Sequence, residues 1–158
     1  MGPRTDRSTS EAELLEAIRD VSHTVVARLM PQAVSEGLNA PTFWHLHHLE
    51  WSGVKHPRDL ARRLGITAAA CTWSVDQLVA LGLVARHPSD LDRRQIVLTV
   101  TPKGKRTLAA VWRRFDSSLD SALATLPPED VAVTARTLRT LATHLSHETT
   151  GAAPEGRP

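Results

Sequence analysis

From about Glu11 to Ser35, Leu14, Ile18, Val21, Val25 and Leu29 recur at spacings of three and four, which predicts an amphipathic helix. Leu15, Val26, Met30 and Ala33 widen its stripe beyond what one small domain would cover, and Gly37 suits its end. Asn39 is a strong N-cap for a second helix, with Leu38 and Phe43 spaced as a hydrophobic staple. That helix carries Trp44, Leu46, Leu49 and Trp51 and stops at Ser52-Gly53. His56-Pro57 opens a short third helix with Leu60, Ala61 and Leu64 inward, closed by Gly65. Thr67 caps a fourth, with Ile66 and Cys71 as its staple pair, an inner face of Cys71, Val75, Leu78 and Val79, and Gly82 at its end. Two helices joined by a tight glycine turn form a helix–turn–helix.

The period then changes from helical to β-like. Leu83–His87, with Val84, and the β-branched run of Gln95–Val100 flank the polar stretch Pro88–Arg94, which predicts a hairpin with two adjacent arginines at its tip. Thr101-Pro102 supplies an N-cap and an N1 proline for a fifth helix, striped by Leu108, Val111, Trp112, Phe115, Leu119, Ala122 and Leu126. Pro127-Pro128-Glu129-Asp130 starts a sixth, with Val131, Ala135, Leu138, Leu141, Ala142 and Leu145 on its expected buried side. The predicted organisation is a disordered polar tail at 1–10, an N-terminal dimerisation helix at 11–37 and a winged helix–turn–helix at 38–100. C-terminal dimerisation helices at 101–147 and a disordered Gly/Pro-rich tail at 148–158 complete it. Within the middle unit the recognition helix falls at about 67–81 and the wing at about 84–100. The fold class is mostly α with a small β-hairpin.

This order of elements resembles the MarR family (multiple antibiotic resistance regulators) over roughly residues 11–147. Its most specific part is Gly82-Leu83-Val84 followed by Asp92-Arg93-Arg94-Gln95-Ile96-Val97-Leu98-Thr99-Val100-Thr101-Pro102-Lys103-Gly104. That stretch looks like the family's wing, in which an acid and an arginine two residues apart precede a strand ending in Thr-Pro-Lys-Gly. The resemblance implies a homodimer formed by the terminal helices, binding two half-sites about one helical turn apart on duplex DNA. It implies repression more than activation. It also implies release of DNA when a small aromatic or lipophilic acid binds between the dimer helices and the DNA-binding lobe, where Trp44, His45, His48 and Trp112 lie on bordering helices.

Charge sharpens the reading. The net charge of the 158-residue chain is only +2, but Lys55, Arg58, Arg62, Arg63, Arg86, Arg93, Arg94, Lys103, Lys105 and Arg106 all fall in the middle third. A planar, permanently charged guanidinium suits a narrow minor groove or a phosphate. Arg94 is the residue expected to insert, with Asp92 orienting it through a charge-assisted hydrogen bond and Arg93 set for phosphate. The fourth helix suits the major groove, presenting Ala68, Ala69, Thr72, Trp73, Asp76 and Gln77. Methyl groups of Ala and Thr match thymine, and Gln77 matches an adenine edge. Thr67 and Thr42, near helix N-termini, are expected on phosphates, and Arg58, Arg62 and Arg86 as positioning contacts.

Other chemistry is thin. No nucleophile elbow, phosphate loop, paired-carboxylate motif or dinucleotide turn is present, so an enzyme is not expected. His45, His47 and His48 beside Glu50, with His23 or His144, raise a metal-sensing regulator as the alternative and a His-rich metal-dependent enzyme behind it, but no zinc-ligand spacing supports either and no cofactor or metal is expected. The single cysteine, Cys71, reads as a buried small hydrophobe rather than a redox sensor. No apolar run approaches the roughly 20 residues of a membrane span, and the N-terminus lacks a secretory h-region. A cytoplasmic protein without a membrane partner is the expectation.

Overall fold

The computed structural model describes residues 8–89 and 92–151. In chain order they form α1 (Thr9–Ser35), α2 (Ala40–Trp51), α3 (Pro57–Leu64), α4 (Ala68–Ala80), β1 (Val84–Pro88), β2 (Ile96–Val100), α5 (Pro102–Leu123) and α6 (Pro128–Gly151). The two strands pair antiparallel from Val84 opposite Val100 to Pro88 opposite Ile96. The mostly α fold with a hairpin wing is therefore as expected.

Three boundaries differ from the periodicity. Ser8 caps α1 through a capping box with Glu11, so the helix starts at Thr9, inside the expected tail. α5 ends at Leu123, leaving Leu126 in the turn beyond it. α6 continues through 148–151. Of the expected tails, residues 1–7 and 152–158 lie outside the described residues.

The core sits in the middle of the chain. Phe43 and Leu46 of α2, Leu60 of α3, Val75 and Leu78 of α4, and Val111 of α5 are fully buried, and the C-terminal turns of α1 close over them with Leu29 and Ala33. Burying a side chain of this size stabilises by roughly 1.5–3 kcal/mol. The wing's base joins the same core through Leu83, Val84, Leu98 and Val100. Its outer edge is also held, because the Leu98 N–H donates to the Lys55 carbonyl at 2.7 Å.

The terminal helices behave differently. Leu14, Val21 and Val26 of α1, Leu119 and Leu123 of α5, and Val133, Leu138 and Leu145 of α6 are all exposed. The face of α6 expected to be buried is not covered by its own chain: none of its residues described for burial, 128–145, falls in the buried class. The reason is geometric. Among the described residues α6 meets its own chain chiefly at the short α3, and its apolar stripe is at most half-buried. No helix among the described residues is long and apolar enough to cross a membrane.

Candidate nucleic-acid interface

The presentation of α4 begins with its ends. Thr67 adopts an extended backbone and its hydroxyl accepts the Ala70 N–H, satisfying one of the helix's orphan donors. Before it, Gly65 takes a left-handed conformation (φ 63°) that lets the chain turn between α3 and α4. At the far end Gly82 (φ 70°) completes a Schellman motif: its N–H reaches the Val79 carbonyl, and the Leu83 N–H reaches the Leu78 carbonyl. Fixed at both ends, α4 buries Cys71, Ser74, Val75 and Leu78. Ala68, Ala69, Thr72, Trp73, Asp76 and Gln77 remain exposed, as periodicity predicts. Trp73 does not pack away into the core; it stays 53% exposed. Cys71 is buried with its thiol directed at the Pro57 carbonyl. Burial raises the thiol pKa, although Arg86 pulls the other way, which disfavours the reactive thiolate.

The wing stands against this exposed face. Arg86 of β1 forms an ion pair with Asp76 of α4 at 2.6 Å. Both side chains are partly exposed, so the pair contributes little to stability, and its value is positional. At the tip, one oxygen of the Asp92 carboxylate accepts the Arg94 backbone N–H at 3.0 Å and the other accepts the Gln95 amide at 3.2 Å. Asp92 thus orients Arg94 through its main chain, not through its guanidinium. Ser89 and Gln95 close the turn with a backbone bond of 2.8 Å. Arg93 and Arg94 are exposed, and neither guanidinium has an ion-pair partner among the described residues.

The junction after the wing explains its run of residues. Thr101 caps α5: its hydroxyl accepts the Gly104 N–H and donates to the Gly82 carbonyl at 2.8 Å. Pro102 sits at N1, where no donor is needed. The Lys103 ammonium reaches the Leu81 carbonyl at 2.8 Å, at the C-terminal end of α4. Gly104 lies so close to the Leu83 carbonyl that an added Cβ would stand 2.3 Å from its oxygen. These four residues fix the start of α5 to the end of α4 and so set where the wing leaves.

Several expected contacts fall elsewhere. Thr42 is buried, and its hydroxyl is committed to a capping box with Asn39, so it cannot meet a phosphate. Thr67 is exposed at the N-terminus of α4, and Arg58 is exposed on α3. Arg62 is exposed but paired with Asp59 at 2.6 Å. Arg86 is engaged by Asp76, as above.

The expected effector residues also divide. A cavity of about 750 Å³ lies between α2 and α5, and of Trp44, His45, His48 and Trp112 only Trp112 lines it. His47 and Trp51, which are one helical turn apart on α2, line it instead. His45 points into the core, its Nδ1 paired with the Pro41 carbonyl and its buried Nε2 without a hydrogen-bond partner among the described residues. α2 carries apolar or aromatic residues on nearly every side, so periodicity does not distinguish the face toward α5. No cluster of three or more metal-ligating side chains occurs among the described residues.

Burial lowers the pKa of His45, His47 and His48 below the ordinary imidazole value. For His48, its neighbours His47, Arg63 and His45 add to the effect. A depressed folded-state pKa means that the unfolded chain takes up protons first as the pH falls. The contribution of these neutral rings is therefore complete above about pH 6.5 and is lost on acidification, at no more than about 1.4 kcal/mol per pH unit per histidine. The urea midpoint is expected to fall between pH 7.5 and about pH 5.5, and to fall less in His45→Gln. Equal midpoints for the wild-type protein would contradict this.

A capped second helix, a glycine turn and a hairpin ion-paired to the helix's exposed face define a winged helix–turn–helix protein. The chain has the fold of the MarR family, and the family model, described as MarR family, matches residues 36–95. A curated relative, an uncharacterized HTH-type transcriptional regulator YfiV of Bacillus subtilis (strain 168), is 28% identical over 78 residues, 49% of each chain. The chain thus spans about half the length of that curated relative. Among solved structures, a MarR family protein from Bacillus stearothermophilus superposes with a TM-score of 0.78 at 22% identity, covering 90% of this chain and 99% of the other. The YusO protein from Bacillus subtilis gives 0.63 at 20% identity, covering 87% and 99%. An S. aureus MepR mutant bound to an oligodeoxyribonucleotide gives 0.60 at 18% identity, covering 84% and 97%. The likeness to these structures is one of fold.

Proposed function

We propose that the chain is a sequence-specific regulator of transcription that binds duplex DNA as a homodimer, with α4 in the major groove and the hairpin tip in the adjacent minor groove. The observation that carries this reading is the ion pair between Arg86 and Asp76, which holds the arginine-tipped wing beside the exposed face of a helix capped at both ends. The DNA-bound MepR structure shares the fold. The apolar faces of α1, α5 and α6, which their own chain leaves open, support dimerisation through the terminal helices. Thr67, Arg58 and Arg93 serve phosphates, Ala68, Ala69, Thr72 and Gln77 face base edges, and a pseudo-palindromic operator matches two such units. Repression rests on the family resemblance alone, and the cavity between α2 and α5 supports release by a small ligand.

Sedimentation and gel-shift titration test this together. A dimer is expected, with affinity falling at least roughly tenfold between about 50 and 200 mM salt even if only two phosphates are engaged. A monomer, or binding indifferent to salt, would overturn the reading.

A further inference from the structure

The cavity between α2 and α5 has a chemistry of its own. One wall is aromatic: the His47 ring lies 5.2 Å from Trp112 and 5.6 Å from Trp51, and Phe115 meets Trp112 edge-on at 5.8 Å. Trp51 is 80% exposed, an indole left open beside the hollow. Three charged side chains stand at the rim, Glu50, Asp116 and Lys105. Lys105 is already engaged, its ammonium 3.0 Å from the Glu50 carboxylate. Asp116 has no ion pair among the described residues. Burial lowers the His47 pKa and so disfavours its positively charged form. Among the residues that line the cavity the balance is thus one net negative charge beside two indoles, whose quadrupole also attracts cations.

We infer that this cavity takes a flat aromatic cation of one or two rings, stacked against Trp51 and Trp112 with its charge toward Asp116. An aromatic acid would have to displace Glu50 from Lys105 and would meet the Asp116 carboxylate. A cavity of about 750 Å³ is within the usual range for small-ligand sites. The inference deepens the ligand-responsive part of the proposed function by giving the class of molecule sensed, opposite in charge to the acid that the family resemblance implies.

The test uses the full chain without DNA and three probes of similar size: N-methylquinolinium, 2-methylnaphthalene and 2-naphthoate, followed by tryptophan fluorescence and calorimetry. N-methylquinolinium is expected to bind most tightly and quench fluorescence. Because Asp116 is solvent-screened, Asp116→Asn is expected to weaken the cation by only about three- to fivefold while leaving 2-naphthoate unchanged or improved. Trp51→Ala should weaken N-methylquinolinium by about threefold or more. Tighter binding of 2-naphthoate, abolished by Lys105→Met, would overturn the inference, as would the absence of binding by all three probes. Either failure leaves DNA binding intact if the regulator reading holds. Conversely, cation binding by a protein that ignores DNA would sink that reading alone.

Discussion

Replacing Gly104 by alanine is expected to lower the stability of the chain by about 1–2 kcal/mol, although alanine is the better helix former. Intrinsic propensity favours the substitution by about 1 kcal/mol. Packing opposes it more strongly. The new Cβ would stand 2.3 Å from the Leu83 carbonyl oxygen and 2.8 Å from a Val100 methyl. The oxygen is backbone that already accepts the Thr101 N–H at 2.9 Å, so it cannot swing aside cheaply. Relief requires α5 to move away from the end of α4, straining the Thr101–Gly82 and Lys103–Leu81 bonds. Overpacking of this kind typically costs about 1–3 kcal/mol and occasionally more. A melting-temperature loss of roughly 2–8 °C follows for a chain of this size. An unchanged or raised melting temperature would show that the junction yields. Because the same junction aims the wing, DNA affinity should fall further than the unfolded fraction alone explains.

Arg94→Ala is expected to weaken binding to the cognate operator by about 1–3 kcal/mol, roughly five- to 150-fold, without altering the melting curve. The side chain is exposed and without an ion-pair partner among the described residues, so its loss leaves no buried group unsatisfied. Its backbone is tied to Asp92, which limits how far the guanidinium's root wanders before DNA arrives. Less ordering entropy is then lost on binding. Arg93→Ala should act differently, weakening specific and nonspecific DNA alike and flattening the salt dependence by about two units of slope, one for each subunit of the dimer. Titrations of the two variants on operator and on unrelated duplex separate the roles. Operator affinity for Arg94→Ala equal to wild type would remove the hairpin tip from recognition.

Much of the fold and of the wing is legible in the residues themselves. Asn39, Thr67 and Thr101 are local caps whose chemistry reaches only three residues ahead, so a sequence displays them directly. The same locality makes the wing readable. What stays hidden is nonlocal. The Arg86–Asp76 pair joins an exposed helix face to a strand, and nothing in either element's period announces it. Thr42 has the position of a phosphate contact because a helix N-terminus attracts anions, yet its hydroxyl is already spent on the cap. Periodicity counts Trp51 within the apolar pattern of α2, but the side chain stands open beside the cavity, since an all-round aromatic helix has no preferred face. The stripe on α6 is apolar as its spacing predicts, and yet it is not buried, because periodicity records that a face wants cover without saying which chain supplies it.

The second strand of the hairpin is held on both margins, by β1 on one side and by a single hydrogen bond to the Lys55 carbonyl on the other. Such a blade resists pivoting at its root. In the proposed dimer the distance between the two arginine-bearing tips is then a property of how the subunits are hinged together, and a molecule wedged between α2 and α5 would loosen the grip on DNA by respacing two stiff prongs rather than by bending either one.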